Sequence, residues 1–250
     1  MKIIKSHGMS SEKASRVKKR GHRKEHIFAG LIKGEVIKGT RKNDVKDSNG
    51  KVYSIKGGGE IKGGEGRKGK WQIFLHKLSK FENNTEFFSR HIFIKVLKAY
   101  PKKYEDYQNN KEVIKNNIIP HMKELKEFLV DSRKKYDFLN KALFDKKIDY
   151  FVVYQDDIFY IFDRNEMLRI FTENFLVENS STFQKVVFKY EDKIIAEIEV
   201  RTTNDGKYPS ILFNMLKERV LNLLTKETKK YKKLNENVYV YGEAISSCIL

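Results

Sequence analysis

Between Phe183 and Arg201 the chain carries a period that leaves little choice of fold. After a turn at Glu191-Asp192-Lys193, Ile194, Ala196, Ile198 and Val200 alternate with Glu197, Glu199 and Arg201. Only an extended strand with one buried and one wet face satisfies that pattern. The same signal recurs at Ile148 to Phe162, turning at Gln155-Asp156-Asp157, and at residues 43–56, where Asp47-Ser48-Asn49-Gly50 separates two extended arms. Asn-Gly is a strong hairpin turn. Shorter strands are expected at Glu35 to Lys38 and Val238 to Tyr241.

Helical stretches lie between these hairpins. Residues 10–33 read as a helix, basic at first and then apolar at Ile27, Phe28, Ala29, Leu31 and Ile32, ended by Gly34. A second helix is expected to start at Trp71. Residues 86–147 read as mostly helical, broken at Pro101 and Pro120, and Leu212, Leu216, Val220 and Leu223 suggest a helix after a loop at 202–209. Gly57 to Lys70 holds too many glycines to propagate a regular element. The expectation is α/β, with several antiparallel pairs, in one domain: a basic segment 1–80, a helical segment 86–147, a strand-rich segment 148–201 and a C-terminal helix and strand in 209–247.

Charge says more about function than about fold. The formal net charge is +18, and residues 1–80 hold 22 Lys and Arg against 7 Asp and Glu, whereas the remainder holds 29 against 26. A lysine-rich codon bias would spread the charge evenly. Thirteen of the 15 glycines fall in the same segment, and glycine brings backbone N–H groups and cationic side chains close to phosphate. A polyanionic partner, a nucleic acid, is therefore expected. Arg41, Lys42, Lys68 and Lys70 are the expected phosphate contacts, and the loop after Arg201, with Lys207, offers donors suited to base edges. No run is apolar enough for a membrane span or a signal segment, and the single cysteine, Cys248, excludes an internal disulfide. A soluble, cytoplasmic protein is expected.

Acid and lysine converge in the first hairpin. The turn places Asp44 opposite Ser54, with Lys56 on the same sheet face as Ser54. Glu25 lies at helical spacing with Phe28, Ala29 and Ile32, at the inward edge of an apolar face. Phosphodiester hydrolysis needs carboxylates to hold Mg²⁺ and a nearby lysine to orient or deprotonate water. Each residue alone is better served by a structural role. A competing register, Glu60-Ile61-Lys62, has the acid-x-lysine spacing but sits among glycines. Glu197-Ile198-Glu199-Val200-Arg201 lies on a better strand but ends in arginine, which is no base. Asp156-Asp157 and the scattered histidines read as turn and surface residues.

Arg23-Lys-Glu-His-Ile-Phe-Ala-Gly-Leu-Ile32, Lys42-Asn-Asp-Val45 and Lys51-Val-Tyr-Ser-Ile-Lys56 resemble the helix, first acid and lysine strand of PD-(D/E)xK type II restriction endonucleases. The resemblance covers roughly residues 20–80. It implies a restriction-endonuclease-like fold, a mixed central sheet flanked by helices, with Mg²⁺ as cofactor and a homodimer on a palindromic site. By it, Glu25 matches the helix glutamate, Asp44 the metal-binding aspartate and Lys56 the catalytic lysine, with Asp44 and Glu25 as metal ligands. Asn43 replaces the family's proline, and Ser54 stands in the place of the second acid. Competing functions are a noncatalytic DNA- or RNA-binding protein and another nuclease of this superfamily, of resolvase or repair type.

Overall fold

A computed structural model describes residues 22–38, 44–57, 70–77, 90–99, 109–145, 147–202, 209–242 and 244–247. Helix α1 spans residues 22–31. Three strands follow: β1 (Glu35–Val36), β2 (Val45–Lys46) and β3 (Val52–Gly57). Strand β4 (Lys70–Lys77) precedes helices α2 (Arg90–Lys98), α3 (Lys111–Val130) and α4 (Ser132–Leu143). Next come β5 (Tyr150–Gln155), β6 (Ile158–Asp163), α5 (Arg164–Asn174), β7 (Leu176–Asn179), β8 (Val186–Tyr190), β9 (Lys193–Thr202) and β10 (Pro209–Leu216). Helix α6 (Lys217–Glu227), strands β11 (Tyr231–Asn235) and β12 (Val238–Tyr241) and the short helix α7 (Ala244–Ser247) complete the order.

The fold is α/β with a mixed seven-stranded sheet, ordered β1-β2-β3-β5-β6-β12-β11, flanked by helices. Its β3–β5 and β6–β12 pairs are parallel and the others antiparallel. A second sheet, β4-β10-β9-β8-β7, is antiparallel throughout.

Two apolar clusters meet at the first sheet. On one face Tyr53, Ile55, Tyr150, Val152, Phe159, Ile161, Val238 and Val240 pack beneath Phe28, Ala29 and Ile32 of α1. Phe28 has no exposure and sits edge-on to Tyr53 at 5.4 Å and beside Phe159 at 5.1 Å. The other face contributes Phe151, Val153, Phe162 and Tyr241 to a larger core shared with the helices and the second sheet.

Turn chemistry fixes the hairpins. Gly50 has φ of 81° and donates its N–H to the Asp47 carbonyl, while Asp47 Oδ1 accepts from Asn49 N and Lys51 N at 2.9 Å each. Asp156 and Asp157, and likewise Glu191 and Asp192, have positive φ, as two-residue hairpin turns require.

Three expectations fail. Residues 71–77 form a strand, not a helix: the run is too short to reveal its period, and pairing with β10 decides it. Pro120 lies inside α3 without ending it, on the exposed side, while Ile118, Met122 and Leu125 are buried. Tertiary burial there offsets the lost hydrogen bond. Leu212 and Leu216 belong to strand β10, and the helix begins only at Lys217. Strand β10 buries Ile211, Leu212, Phe213, Asn214 and Met215 in succession, so neither face alternates. Among the described residues no helix is long and apolar enough to cross a membrane.

Candidate active site

The register of the first hairpin sets the site. Val45 pairs with Tyr53, so Asp44 lies opposite Ser54, and Asp44 N donates to the Tyr53 carbonyl at 2.9 Å. Asp44 Oδ2 accepts Ile55 N–H at 2.6 Å, accepts Ser54 Oγ–H at 3.4 Å and lies 3.9 Å from Lys56 Nζ. Lys56 Nζ donates to Ser54 Oγ at 2.8 Å. Ser54 is fully buried, while the Asp44 and Lys56 side chains keep 16% and 24% exposure. Solvent therefore reaches part of both charged side chains but not the hydroxyl between them.

Helix α1 delivers Glu25. Phe28, Ala29 and Ile32 face the sheet, and Glu25, one turn earlier, accepts a hydrogen bond from His22 Nδ1 at 2.9 Å. Its carboxylate acts electrostatically on both hairpin residues. Burial lifts the Asp44 carboxyl above its ordinary value, and Glu25 adds to that lift against Lys56 and the Ile55 N–H. Burial pushes Lys56 down, against the opposing pull of Asp44 and Glu25. An acid and a lysine both shifted from their ordinary values, with a second acid acting on each, are more typical of a working site than of a solvated turn.

Asp44 and Glu25 are the acids of this cluster that could hold a hard divalent cation. Asp44 Oδ1 and Glu25 Oε1 have no bonding partner among the described residues, and the repulsion between the two carboxylates would be relieved by positive charge. Among the described residues no three His, Cys, Asp or Glu side chains gather as a metal cluster. Mg²⁺ commonly rests on only one or two carboxylates and completes its oxygens with water and phosphate.

Lys24 and Lys217 join the site without a signal in the sequence. Lys24 Nζ sits 4.0 Å from the centre of the Tyr154 ring, and its chain lies against Gly57, where an added Cβ would come within 3.3 Å of Lys24 Cδ. Burial, and then the charge of Lys24, push the Lys217 ammonium below its ordinary value. The two lysines come from opposite ends of the chain, so no local pattern announces them. Lys70, opposite Leu216 in the second sheet, brings a third lysine backbone to the same end, and Trp71 Nε1 ties β4 to the Gly57 carbonyl at 3.3 Å.

The other expected residues are distributed differently. Arg41, Lys42, Lys68, Lys207, Glu60 and Lys62 lie outside the described residues. Arg201 stands on β9 opposite Ser210. Glu197 and Glu199 belong to the second sheet, where Lys185 Nζ reaches them at 3.1 and 2.8 Å and Asn214 Nδ2 at 3.3 and 2.8 Å. Although partial burial opposes its charge, these carboxylates hold Lys185 above its ordinary value. That strand is a bound ion-pair network. Tyr154 OH donates to Asp157, which serves the turn.

Comparison of the chain with protein-family models, with curated proteins and with solved structures finds no match.

Proposed function

We propose that this chain is a Mg²⁺-dependent, sequence-specific endonuclease of double-stranded DNA, of the type II restriction class, with a restriction-endonuclease-like fold and a homodimeric assembly. One observation carries the reading: Asp44, Lys56 and Glu25, from a hairpin and a helix, act on one another in a partly exposed cluster. The mixed sheet with α1 on its face is consistent with the same resemblance.

Asp44 and Glu25 would hold the cation, which would supply Lewis acidity at the phosphoryl group. Lys56 accepts a proton from the attacking water, a role made easier by burial, which disfavours its charged form. The water oxygen bonds to phosphorus, the phosphorus–oxygen bond of the leaving strand breaks, and the leaving oxygen takes a proton from solvent. Ser54 holds the Lys56 amine in place through its hydroxyl. Lys24 and Lys217, at the rim, supply positive charge for neighbouring phosphates.

A noncatalytic nucleic-acid-binding protein is the second reading. It is favoured by Ser54, which leaves the hairpin with a single carboxylate. Incubating purified protein with plasmid and Mg²⁺, with and without chelator, separates the two. Discrete Mg²⁺-dependent fragments, absent with Asp44→Asn, support cleavage; retention of plasmid without cutting supports binding alone.

A further inference from the structure

The far end of the seven-stranded sheet carries an aromatic and basic surface that the cleavage reading does not use. Tyr231, Tyr239, Tyr241 and Tyr160 share one sheet face, because Tyr231 pairs with Tyr241 and Tyr239 with Tyr160. The Tyr160 and Tyr239 rings stack at 5.8 Å and 18°, and those of Tyr231 and Tyr241 at 5.7 Å and 25°. Strand β11 is the sheet edge, so Tyr231 is the last ring of the stack and is 63% exposed. Lys229, Lys230, Lys232 and Lys233 flank it in the chain, all exposed and in no ion pair among the described residues, and Lys233 shares its sheet face. Lys233 Nζ lies 5.7 Å from the centre of the Tyr239 ring.

We infer that this edge binds an unpaired strand of nucleic acid, with a base stacked on Tyr231 and phosphates on the flanking lysines. Lysine on an edge strand also discourages sheet-to-sheet association. That role explains the charge but not a tyrosine left open at the end of a stack. A duplex shows base faces only at its ends, whereas an unpaired strand offers a face at every nucleotide, and aromatic rings on a basic groove are the usual receptor for it.

Register places this surface and the candidate active site at opposite ends of one row. Lys56 pairs with Val153, Val153 with Tyr160, Tyr160 with Tyr239 and Tyr239 with Lys233, one row on one face. Four strand spacings put the two ends of the row about 19 Å apart, with the fully buried Val153 between them, so the tyrosine edge is a surface separate from the candidate active site. The inference concerns binding and holds whether or not the site cleaves.

Fluorescence anisotropy with a labelled oligothymidylate of about a dozen nucleotides, in EDTA, tests it. Tyr231→Ala weakens binding about five-fold or more, Tyr231→Phe retains it, and a blunt duplex of the same length is held equally by all three proteins. Lys233→Ala flattens the salt dependence by about 0.7 unit of slope. Equal oligothymidylate affinity for wild type and Tyr231→Ala, at matched melting temperature, overturns the inference. So does a Tyr231→Ala protein that only loses dimer mass in light scattering, which would give the edge to a second copy of the chain. Wild type that binds through Tyr231 but never cuts DNA sinks the nuclease reading and leaves this one standing.

Discussion

Lys56 donates a 2.8 Å hydrogen bond to Ser54, a neutral and fully buried acceptor two residues back on the same strand. A carboxylate there would add a third negative charge beside Asp44 and Glu25 and hold the lysine protonated. The hydroxyl positions the amine without that electrostatic cost to its neutral form. Serine in place of an acid therefore suits the proton-accepting role proposed for Lys56.

Replacing that acceptor should move the pH profile. Ser54→Asp is expected to shift the acid limb of the cleavage rate to higher pH, because a new carboxylate raises the Lys56 pKa. Ser54→Ala should leave the limb near its original position while lowering the rate, as the amine loses its anchor. A Ser54→Asp limb at or below the wild-type pH would contradict the role given to the hydroxyl.

Cleavage by wild type should rise about ten-fold per pH unit while Lys56 is mostly protonated, then level off. Protonation of Asp44, whose carboxyl is lifted by burial, removes a metal ligand at the acid end and acts in the same direction. Single-turnover rates across the pH range, in Lys56→Ala as well as wild type, check this. The variant should lose about 10²- to 10⁴-fold and show no such limb. Lys62→Ala should cut normally; if it alone is dead, the Glu60-Ile61-Lys62 register carries the chemistry.

The same two groups tax the fold at neutral pH. Asp44, raised by burial, contributes stability below its ordinary pKa and loses it as pH rises through the raised value. Lys56, lowered by burial, contributes stability above its ordinary pKa and loses it as pH falls through the lowered value. Between those windows both are charged and partly desolvated. The double variant Asp44→Asn with Lys56→Met should melt about 2–4 °C above wild type at pH 7. Thermal denaturation decides it, and a lower melting temperature would show that the pair stabilises the fold.

Lys24→Ala and Lys217→Ala should weaken binding to every duplex alike. Each is expected to flatten the salt dependence by about 0.9 unit of slope, the signature of one lost phosphate contact. Titration of cognate and scrambled duplexes at two salt concentrations provides the measure. Arg201→Ala and Lys207→Ala should instead cost about 1–3 kcal/mol on the cognate site alone if their side chains read bases. Equal losses on both duplexes would remove them from recognition.

Local chemistry made some of this site legible. Asn49-Gly50 fixes the hairpin register, and the register places Asp44 against Ser54; the spacing of Glu25 to Ile32 fixes the buried face of α1. What stayed hidden depends on partners far along the chain. Trp71 becomes part of a strand because β10 pairs with it, Leu212 because β4 and β9 enclose it, and Lys217 reaches the site because two sheets end near one another. No window of neighbouring residues contains those facts.

Strand β3 takes its inner neighbour from β5, and Val52 N–H is bonded to the Asp149 carboxylate at 2.9 Å. On the ribosome, some hundred residues must be added after Lys56 before that neighbour emerges, about 5–20 s at ordinary synthesis rates. Until then the strand bearing Ser54 and Lys56 is the open edge of a small hairpin, and isolated hairpins are marginal in water. Translation thus delays assembly of the cluster: a nascent or truncated chain ending before Tyr150 carries the acids and the lysine but lacks the support that holds them in register.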